Sequence, residues 1–160
     1  MATYLIVFFS QGGTTRTIAE TIAEGLRASN GNTIDVCAVS KARPPELTKY
    51  DVLGIGFPVY IYRPPFVIQK YLTMLPPLDG TFFFTFVMYG TNPGDAGDLV
   101  RKLLRENGGR DIGCFYAQGE DYFLGYLRQE YLFSSDHPKE EEIAEARVFG
   151  QTVGERVESL

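Results

Sequence analysis

Thr3-Tyr4-Leu5-Ile6-Val7-Phe8-Phe9-Ser10-Gln11-Gly12-Gly13-Thr14-Thr15-Arg16 is the stretch that decides how this chain is read. Thr3–Phe9 (TYLIVFF) is an unbroken β-branched and aromatic run, the pattern of a strand covered on both faces. Directly after it the periodicity becomes helical. Over Thr14–Ser29, Ile18, Ile22 and Leu26 recur on one face, with Gly31 near the end.

The same alternation continues along the chain. Thr33–Val39 reads as a second strand. Asp51–Phe57 (DVLGIGF) reads as a third, in which Gly54 and Gly56 leave room for close packing or for a ligand. Phe66–Leu75 reads as a short helix closed by Pro76 and Pro77. Thr81–Met88 (TFFFTFVM), the most apolar run, is expected to be the central, fourth strand. Asp95–Glu106 is a helix stopped by Gly108 and Gly109, and Asp111–Ala117 is a fifth strand. Pro138–Val157 reads as the final helix, with Pro138 at its first position and Glu140, Glu141 and Glu142 at the positive end of its dipole. Between them, Gln118–His137 is aromatic-rich, and a short helix is expected at Phe123–Tyr131 inside a long connection. Five strands separated by helices imply an α/β fold, a parallel sheet with helices on both faces and right-handed crossovers.

Composition bounds the class. The 160 residues suit one domain, residues 1–160, and a core of that size buries roughly 70% of the surface that the unfolded chain exposes. With 44% apolar and 22% charged residues, disorder is excluded. Cys37 and Cys114 are too few for a disulfide framework, a zinc site or an iron–sulfur cluster. A net charge of −5 argues against nucleic acid, whose phosphates need a basic face. No apolar stretch reaches the ~18 residues of a membrane span. The opening MATYLIVFFS lacks the basic region and cleavage site of a signal peptide, so a cytoplasmic protein is expected.

In a doubly wound sheet, ligands sit beyond the carboxyl ends of the strands, so the loops that follow the strands matter most. After the first strand, Ser10-Gln11-Gly12-Gly13-Thr14-Thr15-Arg16 runs straight into a helix. Gly12 and Gly13 let backbone N–H groups converge, and Ser10, Thr14 and Thr15 add hydroxyls beside the helix N-terminus. That is an anion cradle without the lysine of a Walker loop, suited to a phosphate that is held and does not react. The plainer reading is a strand-to-helix turn with capping residues, and the loop alone does not choose. After the third strand, Pro58-Val59-Tyr60-Ile61-Tyr62-Arg63-Pro64-Pro65 sets two aromatics on a proline-stiffened loop. They can offer a flat face to a planar ring or merely cover the edge of the core. After the fourth strand, Tyr89-Gly90-Thr91-Asn92-Pro93-Gly94-Asp95 is either a set of free backbone donors or a plain turn in which Asp95 caps the next helix.

Taken together, the three loops resemble those of the flavodoxin-like FMN-binding proteins, and the resemblance covers nearly the whole chain. It implies a flavodoxin-like three-layer sandwich with strand order 2-1-3-4-5. The family's phosphate loop, Ser/Thr-x-Thr-Gly-x-Thr, stands here as Ser10-Gln11-Gly12-Gly13-Thr14-Thr15, with Gly12 in place of the first Thr and one hydroxyl contact fewer. Pro58, Val59, Tyr60, Ile61 and Arg63 are similar to the second flavin loop, in which Tyr60 takes the place of the ring-stacking aromatic. Tyr89, Gly90, Thr91, Asn92 and Asp95 resemble the third, which runs along the pyrimidine edge but here carries no second stacking Tyr after Gly90. Tyr122-Phe123-Leu124-Gly125-Tyr126-Leu127 and Leu132-Phe133-Ser134-Ser135-Asp136-His137-Pro138 resemble the tail of a bacterial and archaeal subgroup sometimes fused to a ferredoxin-type module.

Other signals are set aside. Cys37 and Arg43 have phosphatase-like spacing, but Cys37 falls inside a strand with no glycine loop, so both cysteines read as strand residues filling the core. His137 reads as a capping or surface residue. Gly54-x-Gly56 lacks the third glycine of a dinucleotide fingerprint, and Phe9-Ser10 stands where a phosphorylation receiver needs paired acids. The resemblance implies FMN as the cofactor, no metal, and an electron carrier docking on a redox partner, a reductase or ferredoxin-type protein, as a monomer or weak homodimer. Alternatives are a small NAD(P)H-dependent, quinone-reductase-like FMN oxidoreductase with Tyr122, Phe123 and Tyr126 roofing a substrate pocket, or a binding module that has lost its flavin. Arg63, if turned inward, would favour the anionic reduced flavin; turned outward, it would serve partner or substrate recognition.

Overall fold

Each of the five apolar runs becomes a strand in the computed structural model, which describes residues 1–28, 31–42, 44–119, 128–130 and 134–160. The strands are β1 (Thr3–Phe8), β2 (Thr33–Ala38), β3 (Val52–Pro58), β4 (Phe82–Tyr89) and β5 (Arg110–Gln118). All pair in parallel, in the order β2-β1-β3-β4-β5. The middle of the sheet is therefore β3, which corrects the expectation that the fourth strand would be central. The apolarity of β4 reports two covered faces, and a strand second from the edge has these as well. Phe83 through Met88 are all buried.

Four α-helices are described: α1 (Thr14–Ala28), α2 (Phe66–Thr73), α3 (Ala96–Glu106) and α4 (Glu140–Glu158), with a 3-10 turn at Pro44–Lys49. Alternate strand residues face opposite layers. Tyr4, Ile6, Phe8, Phe84 and Phe86 pack with Ile18, Ile22 and Leu26 of α1 and Ala146 and Val153 of α4. Leu5, Val7, Leu53, Ile55, Phe83 and Val87 pack with Ile68 and Tyr71 of α2, Val100 and Leu104 of α3 and Leu47 of the 3-10 turn.

Two pairs of glycines permit close approaches between elements. A Cβ on Gly54 would lie 2.5 Å from Cζ of Phe84, and one on Gly56 would overlap the edge of the Phe86 ring. The third-strand glycines thus serve packing against β4 aromatics. At the crossing of α1 and α4, a Cβ on Gly25 would strike the Arg147 carbonyl, and one on Gly150 the Ile22 carbonyl.

Helix starts depart most from expectation. Lys139 is the N-cap of α4, and the Glu142 carboxylate accepts its backbone N–H at 2.7 Å, so Pro138 precedes the helix instead of opening it. Asp95 occupies the N-cap of α3, yet its side chain makes no capping bond; its backbone carbonyl accepts the Leu99 N–H at 2.9 Å. Of the helix expected over Phe123–Tyr131, residues 123–127 and 131 lie outside the described residues, and 128–130 form a turn. No described helix is long and apolar enough to cross a membrane.

Candidate functional site

The loops after β1, β3 and β4 meet at the carboxyl edge of the sheet. In the first, Gly13 has φ +96°, which a residue with a Cβ adopts at a cost, and nothing lies within 4 Å of where its Cβ would be. Its N–H donates to Ser10 Oγ at 3.0 Å. The Thr17 N–H donates back to the Gly13 carbonyl at 3.0 Å. The N–H groups of Thr14, Thr15 and Arg16 precede the first helical bond and point out of the start of α1. Thr15 is buried and Thr14 half-buried, with Thr14 Oγ1 lying over Gly119, while Gln11 and Gly12 are exposed. This arrangement can hold an anion through converging N–H groups and the helix dipole.

The second loop is a tight hairpin. Tyr60 and Arg63 exchange both backbone hydrogen bonds, at 2.8 and 3.0 Å, around Ile61 and Tyr62 with φ of +48° and +60°. Positive φ at both central residues is the backbone of a type I′ turn. For a β-branched Ile this is an outlier that costs about 1–3 kcal/mol. Pro58 ends β3, and the Val59 N–H extends the ladder to the Met88 carbonyl at 2.9 Å. The Tyr60 ring is half-buried and edge-on to Phe9, its centroid 6.2 Å away, and its phenol donates to Gln11 Oε1 at 2.5 Å. Burial pushes the Tyr60 phenol above its ordinary pKa. Ile61 and Tyr62 are 74% and 57% exposed, and Arg63 is exposed as well.

In the third loop, the Gly94 N–H closes an Asx turn onto Asn92 Oδ1 at 2.8 Å. Gly94, with φ +56°, lies against Tyr62, where a Cβ would come within 3.0 Å of the ring. The Tyr89 carbonyl accepts the Gly119 N–H at 2.9 Å. Thr91, Asn92 and Asp95 are exposed. Gln11–Tyr60 therefore joins the first loop to the second, and Tyr62–Gly94 joins the second to the third.

Sequence reading missed the residues that arrive from the end of the chain. The Gly90 carbonyl accepts hydrogen bonds from Gln118 Nε2 at 3.1 Å and Ser134 Oγ at 2.8 Å. A polar residue at the end of β5, on the same sheet edge, was the available signal. Tyr122, Phe123 and Tyr126 lie outside the described residues, as do Leu132, Phe133 and Arg43. Cys37 lies in β2 and Cys114 in β5, both with thiols raised by burial. His137 Nδ1 lies 2.6 Å from Glu142 Oε2.

A family model described as a flavodoxin domain matches residues 5–132. An uncharacterized protein of Methanocaldococcus jannaschii is 24% identical over 140 residues, 87% of this chain and 89% of its own. Among solved structures, a flavodoxin from the domain Archaea superposes with a TM-score of 0.75 at 18% identity, covering 98% of this chain and 99% of that one. Two-electron reduced Megasphaera elsdenii flavodoxin superposes with a TM-score of 0.73 at 20% identity, covering 95% and 98%. At these identities, the likeness of structure shows the fold.

Proposed function

This chain belongs to the flavodoxin-domain family, and from that premise we propose that it is a non-covalent FMN-binding redox protein acting as an electron carrier. The observation that carries the reading is the convergence of an open anion cradle, a half-buried aromatic and a loop of backbone donors at one sheet edge, joined by Gln11–Tyr60 and Tyr62–Gly94. FMN, when bound, supplies the redox chemistry; the chain supplies orientation and electrostatics.

Ser10, Gln11, Gly12, Gly13, Thr14 and Thr15 hold the phosphate in this reading. Ser10 Oγ already accepts the Gly13 N–H, so its own hydrogen remains to be donated. Gly12 brings no hydroxyl, but the N–H groups at the start of α1 supply donors that do not depend on it. Tyr60 stacks on the ring, with Pro58, Val59 and Ile61 on the same wall. Tyr89, Gly90, Thr91, Asn92 and Asp95 line the pyrimidine edge. Arg63 is exposed and belongs with partner recognition, beside Ile61 and Tyr62. The net charge of −5 steers the protein toward a basic face of its redox partner.

The test is an absorption spectrum of the purified protein, with FMN titrated into any colourless fraction. A yellow protein that releases FMN on denaturation and is bleached only slowly by NADH or NADPH supports the carrier. Rapid bleaching by either nucleotide alone points to the small oxidoreductase instead. Colourless protein that millimolar FMN does not saturate removes the flavin reading.

A further inference from the structure

The third loop is braced by residues from the far end of the chain. Gln118 Nε2 and Ser134 Oγ both donate to the Gly90 carbonyl, at 3.1 and 2.8 Å. Behind Gln118, Glu142 in the first turn of α4 accepts the Gln118 backbone N–H on Oε1 at 3.0 Å. Its Oε2 accepts the Lys139 N–H at 2.7 Å and meets His137 Nδ1 at 2.6 Å. The His137 N–H in turn donates to the Ser134 carbonyl at 3.0 Å, closing a turn in which Ser134 has φ +56°. The His137 and Glu142 side chains are 17% and 18% exposed, so these bonds are sheltered from water.

A carbonyl oxygen has two lone pairs, and on Gly90 two side chains, Gln118 and Ser134, donate to it. They fix the orientation of the Gly90–Thr91 peptide. Because that peptide is planar and trans, its N–H, on Thr91, points away from Gln118 and Ser134. We propose that Gln118 and Ser134 are positioning residues that aim the Thr91 N–H at the pyrimidine edge of the flavin, with Glu142 and His137 holding them in place. The inference rests on the FMN reading above. A fixed donor there bonds more strongly to the flavin form that carries more negative charge on that edge, which is the reduced form. The brace therefore favours binding of reduced over oxidised FMN and raises the potential.

The experiment compares the full chain with the Gln118→Leu/Ser134→Ala double variant and with Ser134→Ala alone. FMN affinity of the oxidised form is measured by fluorescence quenching, and the midpoint potential of the bound flavin gives the affinity of the reduced form. The double variant is expected to lose about tenfold in reduced relative to oxidised affinity, a net effect of one to two hydrogen bonds. If the double variant folds poorly, Ser134→Ala alone is expected to lose about threefold. Equal losses for both oxidation states, or an unchanged potential, overturn the brace while leaving FMN binding intact. Failure of the parent protein to bind FMN overturns the underlying reading instead.

Discussion

The Tyr60 phenol donates to Gln11 Oε1 at 2.5 Å, linking the loop after β3 to the loop after β1. The residue read as stacking on the ring is thus held by a residue read as holding the phosphate. Tyr60→Phe keeps the ring and loses the bond. It is expected to weaken FMN binding by about 0.5–1.5 kcal/mol. Tyr60→Ala also removes the stack and is expected to cost about 1–3 kcal/mol, by analogy with base–aromatic stacking. Gln11→Ala should match Tyr60→Phe, and combining the two should cost no more than either alone, because both delete the same contact. Titration of FMN into the set of variants is the check, and full affinity in Tyr60→Ala would move the stack to Tyr62.

Gly56 is a question of packing. A Cβ there would overlap the edge of the Phe86 ring, and Phe86 is fully buried. Gly56→Ala is expected to destabilise the fold by about 1–3 kcal/mol, the usual cost of overpacking. Urea unfolding of the flavin-free protein measures it. A neutral result would mean that the β4 aromatics are looser than close packing implies.

At Gly25, two effects compete and the contact decides the sign. In an exposed helix, Gly→Ala stabilises by about 1 kcal/mol through propensity. Here the new Cβ strikes the Arg147 backbone carbonyl of α4, which cannot rotate away as a side chain can. Gly25→Ala is therefore expected to be net destabilising in thermal unfolding, and Gly150→Ala likewise against the Ile22 carbonyl. A gain in Tm for either would show that the two helices separate cheaply.

What the sequence made legible follows from the range of the signal. Covered strands announce themselves as apolar runs, and five such runs separated by helical periodicity led to the parallel sheet; the three loops were found because they follow those runs directly. Position within the sheet was harder, since TFFFTFVM reads the same at the centre as one place from the edge. Helix starts were misplaced where the deciding bond is a side chain reaching backwards. Glu142 sets the start of α4 at Glu140, whereas the eye goes to Pro138. The hairpin over Tyr60–Arg63 was not legible because Ile61 and Tyr62 are residue types that seldom accept positive φ. The brace on Gly90 joins positions 28 and 44 residues apart, and no local pattern encodes such a pairing.

Glu142 gives a pH dependence whose sign can be worked out. Burial alone would raise its pKa, but hydrogen bonds from the Lys139 N–H, from His137 and from the Gln118 N–H outweigh that and hold it below the ordinary value of 4.5. A folded-state pKa below the unfolded one means that the folded protein binds the proton less readily. The stabilisation is then full above about pH 4.5 and is lost as pH falls through the lower folded value. Glu142→Gln keeps the shape without the charge. Its deficit against the parent is expected to be about 1–2 kcal/mol near pH 7, the scale of a charge-assisted hydrogen bond, and to shrink steadily below pH 4.5. Thermal unfolding of both proteins from pH 7 down to about pH 3, the span over which such carboxylates titrate, reads this directly. A deficit that stays constant across that range would assign the effect to geometry, and the charge on Glu142 would then have no part in holding Gln118, Lys139 and His137 together.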